Sequence, residues 1–324
     1  MIDFKDVSLS EDYLHPYCLM QGYRGLVFVE GLRDITFWDD ILNKGIEGPL
    51  YHIMNVTDDG DKGKPVLKKH MHHANKFAIF AMDSDFDYVC PNNNECSQFI
   101  NSNDYILQTF VYSKESVTLH YSIVDDCISK FKISSDINFS IKNYLLLYSK
   151  EIFSVLKMFL FLKDKKIELD DSLFHKVIKP AAIVFDANFN VTNDVFLAMK
   201  ATISDYEVEL LKFSIDDDEY REFEQSLYDK GLNEENAYQF VNGHHLENNV
   251  VMPVISAIIK NIKSNEMELI KQQCKNKPQL IDERRRELFN YIDSEKRFPS
   301  LLQGCKDKFI TPCLQKIKDQ IASC

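Results

Sequence analysis

The first third of the chain alternates short apolar runs with stretches of helical spacing. The apolar runs occupy residues 25–30, 50–55, 77–82 and 105–110. Between the first three runs, residues 34–43 place apolar side chains mostly on one side, and residues 62–74 predict a basic helix that tolerates Pro65 in its first turn. The order strand, helix, strand, helix, strand predicts an α/β fold, with a parallel sheet whose crossovers are right-handed and covered by helices.

The rest of the chain has mainly helical patterns. Residues 144–162 carry apolar side chains on all sides, which predicts a buried helix. Long helices are predicted at residues 233–263 and 267–292, separated by Ser264-Asn265, whereas residues 181–185 fit a strand or a helix equally well. This change of pattern predicts an α/β domain over residues 1–145 and a mainly helical domain over residues 146–324.

The composition is typical of a soluble globular protein with a sizeable core, at 45% hydrophobic and 27% charged residues. The apolar stretch at residues 152–162 is interrupted by Lys157 and is shorter than the roughly 20 residues that span a bilayer, so no membrane association is expected. Eight cysteines form no CxxC pair, and the chain opens MIDFKD without a basic, apolar leader. We therefore expect reduced thiols and a cytoplasmic location.

A net charge of −12 limits the expected partners. Proteins that bind bulk nucleic acid usually have a conspicuous basic surface, and here the basic runs are limited to residues 62–69 and 284–286. Metal-binding carboxylates contribute to an acidic balance, so a nucleic-acid enzyme is still compatible with it. Its binding should be weak and salt-sensitive unless a basic face is segregated.

Carboxylates follow two of the apolar runs. Glu30 is the last residue of the first run, directly after Val29, and Asp83, Asp85 and Asp87 come after the third run. The carboxyl ends of parallel strands open onto one edge of the sheet, where ligands gather in α/β folds. Carboxylates that converge there repel one another unless a divalent cation neutralises them. The pattern therefore predicts a divalent metal site.

The same acids have other possible interpretations. Glu30 alone is equally explained as an acid that complements a helix dipole, and the aspartates as a polar turn that caps the next helix. An EF-hand loop fails, because Tyr88 takes the place of its glycine and Asn94 the place of its last glutamate. A haloacid-dehalogenase-like phosphatase is disfavoured, because Asp87 stands where Thr or Val is usual. No P-loop, GxGxxG or GxSxG motif is present.

The histidines give a weaker signal. His70, His72 and His73 do not share one helical face, and no Cys or His partner follows at zinc spacing. In GHHLE, beginning at residue 243, a glycine and two histidines interrupt a helical pattern. His244 is therefore a candidate site residue, although a surface histidine at a helix start is the simpler interpretation.

Four segments together resemble one family. VFVEGLRD (27–34) and FAIFAMDSD (77–85) resemble the TOPRIM fold of topoisomerases, primases and OLD-family nucleases. YILQTFVYSKES (105–116) resembles an element of the DUF4435 branch of that fold, with Thr109, Tyr112 and Glu115 in the corresponding places and Ser116 where Asn is usual. FVNGHHLENNV (240–250) resembles a later stretch of the same family, with His245 where Asp or Lys is more usual.

The resemblance implies metal-dependent hydrolysis of phosphodiesters. Asp83 and Asp85 would hold Mg²⁺ or Mn²⁺, while Glu30 shares the ion or acts as general base on the attacking water. Glu115 would complete a second metal site, and Asp87 would have a supporting role. Five lysines would contact the phosphate backbone or stabilise developing charge: Lys62, Lys64, Lys68, Lys69 and Lys114.

The resemblance also implies a biological setting. Related DUF4435 proteins include the effector nuclease of PARIS-type anti-phage systems, which is directed at tRNA and works beside an ABC-like ATPase sensor. A chain without a P-loop fits such an effector, since nucleotide sensing would belong to the partner. The expected substrate is then tRNA or DNA, and a homodimer is compatible with this setting. The alternative is a non-catalytic TOPRIM-scaffold subunit that docks on the ATPase.

Overall fold

The contacts of the chain form two compact units in a computed structural model that describes residues 2–4, 8–134, 136–305 and 311–323. The first unit comprises Met1–Val117, Leu162–Ile167 and Thr311–Cys324. The second comprises Thr118–Phe161 and Glu168–Ile310. Each unit is therefore assembled from segments that are separated in the sequence.

A mixed, mostly parallel sheet forms the centre of the first unit. Its strands within the described ranges are β1 (Ile2–Asp3), β2 (Tyr23–Val29), β3 (Leu50–Asp58), β4 (Asp61–Lys62), β5 (Ala78–Met82) and β6 (Ile106–Gln108). The order is β1-β3-β2-β5-β6 with parallel neighbours, and β4 pairs antiparallel with β3. The predicted α/β class and all four predicted strands are confirmed, and β1 and β4 are additions.

Helices cover the sheet and make up most of the second unit. In chain order they are α1 (Glu11–Gln21), α2 (Leu32–Leu42), α3 (Lys64–His70), α4 (Glu95–Ser102), α5 (Lys114–Thr118), α6 (Tyr121–Lys130), α7 (Ile141–Asp164), α8 (Asp171–Val177), α9 (Leu197–Leu210), α10 (Asp217–Asp229), α11 (Gly243–His245), α12 (Met252–Gln273), α13 (Ile281–Glu295), α14 (Phe298–Cys305) and α15 (Pro312–Ser323). The predicted helical C-terminal region is thus present.

The two faces of the sheet bury separate apolar clusters, because successive side chains of a strand point to opposite faces. Phe28 and Phe80 lie on one face, where Phe4 contacts both rings at centroid distances of 5.1 and 6.0 Å. On the other face, Trp38 of α2 and Ile317 of α15 lie in one buried cluster with strand residues. The last helix therefore belongs to the first unit, whereas the sequence placed it in a C-terminal domain.

Helix α7 matches the buried helix predicted from all-round apolar residues, and most of its side chains are buried. The boundary predicted near residue 145 falls inside this helix, and the two units divide the chain elsewhere. Although α7 is long and rich in apolar residues, no helix of the described ranges has both the length and the apolar character needed to cross a bilayer.

The helix break predicted at Ser264-Asn265 is wrong, since α12 continues through both residues. The side-chain amides of Asn261 and Asn265 each donate a 2.8 Å hydrogen bond, to the carbonyls of Asp186 and Ala187 respectively. These polar residues therefore fix a loop to the helix instead of ending it. The loop includes residues 181–185, which form neither a helix nor a regular strand.

Loss of a ring from the sheet core should destabilise the first unit. Phe80 is fully buried, so Phe80→Ala is expected to lower the free energy of unfolding by about 3–5 kcal/mol. Urea unfolding followed by the fluorescence of Trp38, the single tryptophan, measures this unit directly. The control Leu19→Ala truncates a side chain that is 74% exposed and should change stability by less than about 0.5 kcal/mol. Equal effects of the two substitutions would contradict the assigned core.

Candidate functional site

Glu30 and Asp83 meet at the carboxyl edge of the sheet. β2 and β5 are parallel neighbours with Val29 opposite Ala81, so the residues that follow both strands emerge side by side. The Glu30 carboxylate Oε1 accepts a 3.0 Å hydrogen bond from the backbone N–H of Asp83. The structure thus brings together the two acids that the sequence placed after separate apolar runs.

Negative charge at this edge is incompletely compensated. Burial raises the pKa of Glu30 to about 7, and the carboxylates of Asp85 and Asp34 add to the rise against the opposing effect of the Lys64 ammonium. Burial likewise raises the pKa of Asp83 well above its ordinary value, with further contributions from Glu30 and Glu115. A cation placed between these groups would lower their electrostatic energy.

Glu115 lies at the same edge as Asp83. The backbone N–H of Lys114, at the start of α5, donates a 2.8 Å hydrogen bond to Asp83 Oδ1. The Ser113 hydroxyl donates a 2.7 Å hydrogen bond to Glu115 Oε2. Because the charge of Glu115 acts on the pKa of Asp83, a third carboxylate stands within electrostatic reach of the first two.

The segment after β6 fixes the loop that follows β5. The Ser84 N–H donates to Thr109 Oγ1 at 3.0 Å, and the Phe110 N–H donates to Ser84 Oγ at 2.9 Å. The Asp85 N–H donates to the Tyr112 carbonyl at 2.7 Å. Asp85 itself has a φ of +47°, a conformation that is uncommon outside glycine. Thr109 and Tyr112 therefore hold residues 83–87, the aspartate loop, in position.

Lys64 projects into the aspartate loop from the first turn of α3. Its ammonium donates hydrogen bonds of 2.6 Å to the Asp83 carbonyl and 2.6 Å to Asp85 Oδ2, and lies 3.1 Å from Asp87 Oδ2. Although burial lowers the pKa of Lys64, the charges of Asp85 and Asp87 outweigh it and raise the pKa above its ordinary value. The group therefore remains a full positive charge.

Asp87 is held by lysine and by α4. Lys68 donates a 2.9 Å hydrogen bond to Asp87 Oδ2, and the Ser97 hydroxyl donates one of 2.6 Å to Oδ1. Burial raises the pKa of Asp87, but Lys64 and Ser97 outweigh it, so the pKa lies below its ordinary value. Asp87 is thus a satisfied, charged carboxylate, in keeping with a supporting role.

The lysines that the sequence assigned to nucleic acid are mostly paired with carboxylates. Besides Lys64 and Lys68, Lys69 pairs with Asp58 and the Lys114 ammonium pairs with Asp34. Lys62 is exposed. Four of the five lysines proposed to contact phosphate are therefore paired with carboxylates of the chain itself.

Two carboxylates at this edge were missed from the sequence. Asp34 is buried on the first turn of α2, four residues after Glu30, and its charge contributes to the raised pKa of Glu30. Asp58 ends β3 and accepts hydrogen bonds from Lys69 and His70. Both signals were available, since Asp34 lies in the first turn of the helix predicted after Glu30 and Asp58 lies in the polar turn after the second apolar run.

His244, the remaining candidate, belongs to the second unit and is exposed on α11. The carboxylates described above all belong to the first unit. The neighbouring His245 is buried instead, with Nε2 lying 3.2 Å from the Tyr148 hydroxyl. Burial lowers the pKa of His245 to about 3, so it is a neutral core residue.

The donor atoms at the sheet edge are chemically suited to Mg²⁺ or Mn²⁺, which prefer carboxylate and carbonyl oxygens. Across the described ranges, however, no group of three or more His, Cys, Asp or Glu side chains is arranged to hold a metal ion. Asp85 and Asp87 both contact the Lys64 ammonium, and Glu30 Oε1 accepts the Asp83 N–H. The oxygen atoms are therefore of the type that binds Mg²⁺ or Mn²⁺, whereas their present positions suit the Lys64 ammonium.

Comparison with known proteins adds no assignment to this geometry. No protein-family model matches the sequence, and no curated protein matches it. The function is therefore inferred from the carboxylates and lysines at the sheet edge and from the motifs in the sequence.

The raised pKa of Glu30 has a consequence for stability. The ordinary pKa of a glutamate is 4.5, so between pH 4.5 and about 7 the folded protein keeps a proton on Glu30 that the unfolded chain has released. The free energy of unfolding therefore falls as the pH rises through this range. Glu30→Gln retains a hydrogen-bond acceptor for the Asp83 N–H and removes the charge. In a buffer that contains a metal chelator, Glu30→Gln should raise the free energy of unfolding at pH 8 by roughly 1–3 kcal/mol. This gain should vanish towards pH 4.

Urea unfolding at both pH values, followed by Trp38 fluorescence, measures this difference. Glu47→Gln removes one negative charge from an exposed residue and serves as the control. A Glu30→Gln protein that is no more stable than wild type at pH 8 would contradict the assigned charge environment.

Proposed function

We propose that the chain is a divalent-metal-dependent TOPRIM-like nuclease. The observation that carries the proposal is the contact between Glu30 and Asp83, two partly buried acids with raised pKa values at the carboxyl edge of a parallel sheet. Structural carboxylates are usually paired so that their pKa falls, whereas functional sites collect groups with perturbed pKa values. The order of these acids in the sequence also resembles the TOPRIM metal site.

Asp83 and Asp85 would hold the metal ion, with Glu30 either sharing it or acting on water. A bound divalent cation lowers the pKa of coordinated water and neutralises phosphate charge. With a pKa of about 7, Glu30 is suited to accept the proton of an attacking water near neutral pH. Glu115, close enough to Asp83 to raise its pKa, is the candidate ligand for a second ion.

Lys114 is the cation best placed to face developing negative charge at the cleaved phosphodiester. Its backbone N–H is committed to Asp83, and its ammonium pairs with Asp34 while the side chain stays 23% exposed. A preorganised ammonium beside the reacting phosphate stabilises charge at little reorganisation cost. Lys62, exposed next to Asp61, is the remaining candidate for backbone contacts.

The resemblance to DUF4435 proteins carries the biological part of the proposal. The substrate would be tRNA or DNA, and an ABC-like ATPase sensor would activate the chain as the effector of an anti-phage system. A cytoplasmic location follows from that role. The net charge of −12, with most nearby lysines already paired, predicts that substrate binding is weak and strongly salt-dependent without such a partner.

Removal of the two central acids should abolish cleavage. Glu30→Gln and Asp83→Asn are each expected to reduce Mn²⁺-dependent cleavage by roughly a hundredfold or more, because each removes charge from the proposed metal site. Plasmid, single-stranded DNA and total tRNA are the substrates, and Glu47→Gln should cleave like wild type. Full activity in either site variant would contradict the assignment, and cleavage of DNA alone would remove tRNA as the substrate.

Calorimetric titration with Mn²⁺ covers the case of an effector that is inactive without its partner. Wild type should bind the ion, and Asp83→Asn should lose most of this affinity. If wild type binds neither Mn²⁺ nor Mg²⁺, the non-catalytic alternative is favoured, in which the same fold serves as a docking subunit for the ATPase.

A further inference from the structure

The Lys64 ammonium lies at a point where three oxygens converge. These are the Asp83 carbonyl at 2.6 Å, Asp85 Oδ2 at 2.6 Å and Asp87 Oδ2 at 3.1 Å. An ammonium has three N–H donors and no acceptor, so this arrangement uses its full capacity. The Lys64 side chain is only 12% exposed, which shields these contacts from water.

The same three oxygens are of the kind that a divalent cation uses. One backbone carbonyl and two carboxylates supply hard oxygen donors around a single positive centre. Two positive centres cannot occupy one such point, because at short range they repel each other strongly in a partly buried site. Occupation by Lys64 and by a metal ion at Asp85 are therefore alternatives.

We propose that Lys64 is an internal counter-ion that occupies part of the metal site and is displaced when a divalent cation binds Asp83 and Asp85. This inference rests on the proposed metal-dependent function. The displaced ammonium stays tethered to the first turn of α3, beside the metal, where it can pair with a phosphate oxygen of the substrate. Metal loading thus converts Lys64 from a carboxylate partner into a substrate-positioning residue.

Lys68 provides a matched comparison within the same cluster. It lies one turn after Lys64 on α3, and it pairs with Asp87 at 2.9 Å. Its side chain is 26% exposed. Asp87 also accepts the Ser97 hydroxyl, so its charge stays satisfied after Lys64 has left. Removing Lys68 deletes the same charge but leaves the Lys64 contacts with Asp83 and Asp85.

Calorimetric titration of Mn²⁺ into Lys64→Met and Lys68→Met tests the competition. Lys64→Met should bind Mn²⁺ at least about tenfold more tightly than wild type, because no internal cation has to be displaced. Lys68→Met should stay within about threefold of wild type, since Lys68 contacts Asp87 Oδ2 and its removal leaves the Lys64 contacts with Asp83 and Asp85 in place. If both variants gain the same affinity for Mn²⁺, the gain reflects only the loss of one positive charge, and the proposal is overturned.

Lysine reactivity in the wild-type protein gives a second readout that needs no variant. Acetylation with an amine-reactive ester, quantified for each lysine by mass spectrometry, is compared with and without saturating Mn²⁺. Displacement should raise labelling of Lys64 several-fold, while Lys69, which pairs with Asp58, serves as the internal reference. Unchanged protection of Lys64 in the Mn²⁺-bound protein overturns the proposal even if Lys64→Met does not fold.

Mn²⁺ binding by wild type separates loss of the exchange from loss of the metal site. In one outcome, wild type binds Mn²⁺, Lys64 stays protected and Lys64→Met gains no affinity. The proposed metal site is then retained, and displacement of Lys64 is eliminated. In the other outcome, neither wild type nor Lys64→Met binds Mn²⁺. Both the metal site and the displacement of Lys64 are then eliminated.

Discussion

Parallel pairing of β2 with β5 is the constraint on which the rest of the site depends. Pairing Val29 with Ala81 leaves Glu30 and Asp83 no alternative to emerging side by side at the same edge. The pairing is stabilised by apolar residues on both faces of the sheet, at a distance from the acids themselves. The fold therefore imposes an electrostatic cost at this edge, which neighbouring groups must offset.

The positive charges of lysine side chains offset much of that electrostatic cost. α3 supplies Lys64 and Lys68 to the aspartate loop, and the start of α5 supplies Lys114 to Asp34. Compensation is uneven, since Asp87 has a pKa below its ordinary value while Glu30 and Asp83 have raised values. The site thus combines a satisfied, structural part with an unsatisfied part that is open to a cation or a proton.

Much of the first unit could be predicted from sequence, because short apolar runs separated by amphipathic helices have few alternative arrangements. The positions of Glu30 and Asp83 followed from that pattern. The partners of Lys64 could not be predicted in the same way, since a basic helix is equally compatible with solvent, phosphate or carboxylates. Ser264-Asn265 likewise has the composition of a turn, and a tertiary hydrogen bond from Asn265 kept it helical.

The return of α15 to the first unit has a consequence for the timing of folding. Gln320 donates a hydrogen bond to the carbonyl of Asp104, 216 residues earlier, and Ile317 completes the cluster around Trp38. Because α15 follows the second unit in the sequence, these contacts can form only after the second unit has been synthesised. The face of the sheet that packs against Trp38 therefore lacks part of its cover while the second unit is being synthesised. The first unit of such a chain reaches its final packing only after the whole of the second unit has been made.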